Sequence, residues 1–162
     1  MVRFRSGGNE TADETGVWMI VTILLIHIFS CWCMTGIIWL VQILVYPNFN
    51  NVGPNEFKKF HQFHTNRITW VVAPFMGGEI LSAVTLVILI PNGLFFFNLI
   101  SVFATWALTA FLNVPAHNVL SFEKKNTLAK LILKNWPRTI VWTVRAIFCF
   151  YLLSANFNGG GI

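Results

Sequence analysis

Hydrophobic and polar positions sort this chain into four long apolar runs separated by short polar segments. The run over residues 17–46 contains no Asp, Glu, Lys or Arg, and the run over 68–90 is broken only by Glu79. A third covers 94–114, and a fourth covers 139–157 with Arg145 as its single charge. A helix that crosses a bilayer needs about 20 apolar residues, so each run is long enough or nearly so. The runs do not alternate apolar with polar, as strands of a membrane barrel would. Hydrocarbon leaves no partner for an unpaired backbone group, so each run reads as a helix. The pattern predicts an all-α, four-transmembrane-helix bundle forming one domain over residues 1–162. It has a polar tail at 1–16, helices at about 17–46, 54–90, 94–114 and 139–157, and short amphipathic helical segments on the cytoplasmic side.

The connections add topology. Pro91-Asn92-Gly93 is a tight-turn sequence, so the second and third helices form an antiparallel hairpin. Gly53-Pro54-Asn55-Glu56 reads as a helix start, followed by Phe57, Phe60, Phe63 and His64 at helical spacing. Residues 121–134 place Leu128, Leu131 and Leu133 among lysines, the pattern of an interfacial stretch against lipid headgroups. Trp136-Pro137 is expected to end that stretch at the membrane boundary.

Composition sharpens the class. The chain is 56% hydrophobic and 10% charged, against roughly 25% charged in a soluble domain. That excludes an ordinary soluble globule and a disordered chain. The net charge of +5 forms no basic stripe interleaved with aromatics, so no nucleic-acid partner is expected. The first apolar run is too long for a signal-peptide core and has no small-residue cleavage site, so it is expected to remain. With four crossings, residues 47–67 and 116–138 share one side. They hold eight basic side chains (Lys58, Lys59, Arg67, Lys124, Lys125, Lys130, Lys134, Arg138) against Glu56 and Glu123, a balance of +6. The other side holds Arg3 and Arg5 against Glu10, Asp13 and Glu14, a balance of −1. The basic side is therefore expected to be cytoplasmic, with both termini outside. Asn9-Glu10-Thr11 is a glycosylation sequon on the outer tail, usable only in a eukaryotic secretory pathway.

Polar groups inside the apolar runs are the candidates for chemistry. Glu79 lies about 11 residues into the second helix, roughly 16 Å deep at ~1.5 Å per residue. A carboxylate there costs a few kcal/mol, so it must be paired, protonated or functional. Arg145, roughly 10 Å deep in the fourth helix, is the expected partner, and His27 a second neighbour. Two readings stay open for Glu79 and Arg145: a structural ion pair, or a catalytic pair that carries or balances a proton.

Histidine makes the second constellation. His61 and His64 stand three residues apart on one helix face, and His117 follows Pro115 at the same end of the bundle. Gln42, Tyr46, Asn118 and Arg138 belong to that end and are candidate donors around a bound group. His61, His64 and His117 could hold a transition metal, or supply axial imidazoles to haem. They could equally line a metal-free polar pocket or pack at the interface. His61 and Glu79 are 18 residues apart, five helical turns, so they share a face; this suggests a polar path with histidines at its mouth and Glu79 at its bottom. Cys31, Cys33 and Cys149 read as small apolar fillers. Gly77-Gly78 with Ser82 and Ala83 would permit close helix approach.

These motifs resemble those of a family of uncharacterised bacterial four-helix integral membrane proteins. The shared features are Trp39-x-x-Gln42 leading to Tyr46-Pro47, Phe60-x-x-x-His64 with Arg67-Ile68, Pro74-x-Met76-x-x-Glu79, Pro115-x-His117, and Asn135-Trp136-x-Arg138-Thr139 with Trp142 and Arg145. In layout the chain is also similar to anthrone-oxygenase-like membrane proteins. The resemblance implies a four-helix protein of a bacterial inner membrane with a polar site at the cytoplasmic end, and no established reaction. The three histidines at one depth, beside a costly carboxylate, give the expectation of a metal- or haem-binding oxidoreductase acting on a lipid-soluble substrate such as a quinone. The alternatives are a proton or small-solute transport module using Glu79, and a non-catalytic subunit of an oligomer or larger membrane complex.

Overall fold

The computed structural model describes residues 8–120 and 124–158, with side chains for 14–120 and 128–154. Residues 1–7 and 121–123 lie outside the described residues; the sequon falls in the first turns of the first helix, without described side chains. Four long helical rods make up the described chain, and no strand occurs among the described residues. The first rod is α1 (Gly8–Leu40), a π-helical turn at Val41–Val45, the short α2 (Tyr46–Asn48) and a 3-10 turn at Phe49–Asn51. The second is α3 (Pro54–Leu89). The third is α4 (Gly93–Leu108), a second π-turn at Thr109–Asn113, and α5 (Val114–Leu120). The fourth is α6 (Lys124–Asn158).

Local chemistry explains the boundaries. Gly53 caps α3 with Pro54 at its first position, where the missing N–H costs nothing. The expected hairpin is present: the Asn92 side chain caps α4 by accepting from the Phe95 N–H at 3.0 Å. Both π-turns lie directly ahead of a proline. A proline ring in a regular helix collides with the carbonyl four residues back. Ahead of Pro47 the Tyr46 N–H instead reaches Val41, and ahead of Pro115 the Val114 N–H reaches Thr109, each five residues back. One extra residue per turn is thereby accommodated without breaking the rod.

Two expected boundaries move. The fourth helix does not begin at 139: α6 runs from Lys124 straight through Pro137. The segment expected to lie at the interface is its first part, because Leu128 and Leu131 are buried against Tyr46, Phe49, Ala116 and Leu120 rather than against headgroups. The third helix likewise extends past 114, as α5.

Three rods, Glu14–Asn51, Pro54–Leu89 and Gly93–Leu120, are long and apolar enough to cross a membrane. Their burial pattern is inverted relative to a soluble protein. Trp18, Trp70, Leu81, Ile88, Phe111 and Ile147 are exposed, while His27, Gln42, Glu79, Asn98, Asn135 and Arg145 are buried. Such a surface suits hydrocarbon and would aggregate in water.

The interior is layered along the rods. An apolar layer at the hairpin end joins Leu24, Leu86, Phe95 and Leu152. A middle layer joins Cys31, Met34, Ile38, Met76, Trp142 and Cys149. A third, at the opposite end, contains Val41, Tyr46, Phe49, Phe57, Leu120 and Leu131. Polar side chains occupy the two gaps between these layers.

Candidate functional site

The gap nearer the hairpin holds the buried charge pair. Arg145 Nη1 lies 2.6 Å from Glu79 Oε1, and both side chains are at most 2% exposed. Arg145 Nε donates to Ser101 Oγ at 2.8 Å, which ties α6 to α4. His27 neighbours Glu79 through the backbone: its Nδ1 lies 3.0 Å from Ser82 Oγ and 3.2 Å from the Glu79 carbonyl. Its Nε2 accepts from Asn98 Nδ2 at 2.9 Å. Ser82 Oγ itself donates to the Gly78 carbonyl at 2.6 Å, which leaves the His27 proton on Nδ1 as the arrangement that satisfies every group. All four rods meet in this network.

The other gap is a cavity of about 290 Å³. Ile37, Ile38, Val41, Ile68, Val72 and Met76 form its apolar half; Tyr46, His61, His64, His117, Asn118 and Arg138 form much of its polar half. A hydrogen-bonded row crosses the polar wall. Tyr46 Oη lies 2.8 Å from His117 Nε2, and His117 Nδ1 lies 2.9 Å from His61 Nε2. The row is consistent when the Tyr46 hydroxyl donates to His117 and the His117 Nδ1–H donates to His61. His64 packs edge-on against Tyr46 and Phe49 and lies parallel to the His117 ring. Phe57 stacks on the outer side of His61, with ring centroids 5.8 Å apart.

Both π-turns frame this cavity. The first precedes Tyr46, and the second precedes His117 and contains Asn113. Each inserts a residue that rotates the following side chains out of α-helical register and into the cavity wall. Such turns in a helix are frequent at functional sites.

Behind the wall runs a chain of amides. Asn135 Nδ2 donates to Gln42 Oε1 at 2.7 Å, and Gln42 Nε2 donates to the Ile132 carbonyl at 3.3 Å. Asn113 lies between Asn135 and Arg138: its Nδ2 donates to Asn135 Oδ1 at 2.9 Å, and with the amide turned over its oxygen instead accepts from Arg138 Nη1 at 2.8 Å. The Arg138 guanidinium also lies over the Trp142 ring, 5.1 Å from its centroid.

The structure thus gathers His61, His64, His117, Tyr46, Asn118 and Arg138 around one cavity. Gln42 does not line it and acts behind the wall, holding Asn135. Glu79 and Arg145 do not line it either. The middle apolar layer, with Met76 and Trp142 each one turn from the charged residues, separates them from the histidines. The expected continuous polar path is therefore interrupted. The metal expectation is not supported: among the described residues no three His, Cys, Asp or Glu side chains are arranged to hold an ion. His117 uses both ring nitrogens in the row, so ligating a metal or haem iron would first break a hydrogen bond. Cys31 and Cys149 are free thiols buried in the middle layer, in keeping with small apolar fillers. Close approach occurs at Gly78, where a Cβ would lie 2.9 Å from Ser30 Oγ; Gly77 faces open space.

Asn113, Thr65 and Thr69 are cavity residues that the sequence pattern did not single out. Asn113 carried a signal: an amide in an apolar run, two residues before Pro115. The threonines carried none, since threonine in a helix commonly returns its hydroxyl to its own backbone, as both do here. Comparison with family models, curated proteins and solved structures finds no match for the chain.

Proposed function

We propose that this chain is a four-crossing integral membrane protein that binds a small lipid-soluble molecule in the histidine-lined cavity and exchanges a proton with it. The reading is carried by one observation: the Tyr46–His117–His61 row forms one wall of a cavity whose other half is apolar. An apolar body with a hydrogen-bonding head fits such a lining, the usual make-up of a small-molecule site. A row of alternating donors and acceptors can also shift a proton by one step at each bond.

α6 provides the fourth crossing. Arg145, its deepest charge, is neutralised by Glu79, which removes most of the cost of placing it in hydrocarbon. The basic connections then lie in the cytoplasm, and the cavity sits at that end of the bundle with both termini outside. Glu79 and Arg145 lock the register of the rods rather than act on the ligand.

The test is saturable binding in mild non-ionic detergent with a panel of probes: a short-chain quinone, decanol and decanoate. The reading expects at least one probe to saturate, and Thr69→Trp, at the exposed rim of the cavity, to weaken it at least tenfold. Partitioning without saturation for every probe, or binding indifferent to Thr69→Trp, would overturn it.

A further inference from the structure

Arg138 brings a positive charge into the cavity wall, and no carboxylate among the described residues answers it. Glu79 is bound to Arg145, and Glu14 and Glu56 are not part of the wall. What Arg138 has is the face of Trp142 and, when the Asn113 amide is turned toward it, one uncharged oxygen. Its buried Nε has no hydrogen-bond partner. A buried cation without a counter-charge costs several kcal/mol in protein or lipid surroundings. A ligand that brings the missing negative charge recovers that cost.

The cavity mouth says where the ligand comes from. At this end α3 and α5 scarcely touch, and the His61–His117 hydrogen bond spans the cleft between them. Thr69 on one lip and Val114 and Asn118 on the other are exposed. The Thr65 and Thr69 hydroxyls are spent on their own helix backbone, so that lip is effectively apolar. The cleft therefore faces the side of the bundle, toward acyl chains. At about 290 Å³ the cavity lies near the lower end of the ~300–1,000 Å³ range of small-molecule sites.

Resting on the reading of this cavity as a ligand site, we propose that its ligand is an acidic lipophile of medium chain length, which enters sideways from the membrane as the neutral acid and is held as a carboxylate by Arg138. The neutral acid dissolves in hydrocarbon; the anion does not. In the cavity the carboxyl O–H bond breaks, and its electron pair stays on the oxygen facing Arg138. The proton passes to Tyr46 Oη, which gives its own to His117 Nε2. The Nδ1 proton of His117 moves to His61 Nε2. One neutral acid and one neutral imidazole become one carboxylate and one imidazolium. Arg138 provides the two-pronged donor set that a carboxylate matches.

Calorimetric titration of the full chain in non-ionic detergent with decanoate, decanol, decyl phosphate and decyltrimethylammonium tests this. Decanoate is expected to bind at least tenfold tighter than decanol, and decyltrimethylammonium not to saturate. Arg138→Gln should reduce decanoate to the level of decanol, and Arg138→Lys should keep part of the preference. Should Arg138→Gln fail to fold, the ordering of the four probes on the unaltered protein decides the matter. Equal affinity for decanoate and decanol, or an unchanged preference in Arg138→Gln, would overturn the acid assignment. Tighter binding of decyl phosphate than of decanoate would overturn it in favour of a lipid phosphate headgroup. Saturable binding of decanol or a quinone without charge preference sinks this inference alone; no saturation by any probe sinks the cavity reading beneath it.

Discussion

At the scale of single residues, the charges inside the apolar rods are the most legible feature of the sequence and the most demanding of the fold. Glu79 and Arg145 stand out as lone charges in otherwise apolar runs, and their pairing follows from the cost of leaving either alone. Glu79→Gln is expected to cost about 3–5 kcal/mol, because it strands a buried guanidinium. Adding Arg145→Met to it should recover much of that loss, read as thermal unfolding in detergent; a double variant no more stable than Glu79→Gln would contradict the pairing. The glycine pair divides in the same way. Gly78→Ala brings a methyl to 2.9 Å from Ser30 Oγ, which must turn aside, so it should gain less than Gly77→Ala, which meets nothing and should stabilise by about 0.5–1 kcal/mol through helix propensity. The same thermal measurement separates them. Asn113 was harder to read, because an uncharged amide in an apolar run carries a weaker penalty and can satisfy itself on nearby backbone, and Asn135 stood in a polar connection where an amide is ordinary. Their partners became visible only once Gln42 and Arg138 were brought beside them.

At the scale of elements, the rods and the hairpin were readable because apolar run length and Pro91-Asn92-Gly93 are strong local signals. The π-turns were not, since one inserted residue hardly changes an apolar pattern. In retrospect Tyr46-Pro47 and Val114-Pro115 mark the two π-turns, but proline alone is not a sufficient signal, because Pro74 lies inside α3 without widening it. Pro137 misled in the opposite direction. It reads as a stop, yet α6 continues, because Leu128 and Leu131 bury against the layer around Phe49 and hold the segment in line. Pro115→Ala tests whether the proline holds the second π-turn in place. Relaxation to a regular helix turns His117 by about 100°. The expected result is unchanged helix content by circular dichroism with at least a tenfold loss of probe binding; retained binding would show that the π-turn does not place His117. Tyr46→Phe removes one hydrogen bond from the row and should cost about 1 kcal/mol, with a changed ¹⁵N signal at His117 Nε2.

At the scale of the whole molecule, alternating apolar and polar layers inside a lipid-facing surface make two polar centres with different work. One ties the four rods together through Glu79, Arg145, His27 and Asn98. The other keeps space between Tyr46, the histidines and Arg138. The sequence suggested a single stripe from His61 to Glu79 because five helical turns return to the same face. It could not show that Met76, Ile38 and Trp142 would close the stripe between them. Orientation rests on charge counting and is open to thiol labelling. Asn92→Cys should react with an impermeant reagent applied outside intact cells, and Lys58→Cys, exposed in the basic connection, should not; the reverse would invert the topology. The central claim, that a molecule from the membrane occupies the histidine-lined cavity, meets its most direct test in photocrosslinking. A medium-chain carboxylic acid bearing a diazirine near its tail would be irradiated with the protein in bilayers, and the adducts mapped by mass spectrometry. Adducts concentrated at Ile37, Ile38, Val72 and Met76 are expected; adducts confined to the outward-facing Trp70, Phe111 and Ile88 would contradict the account.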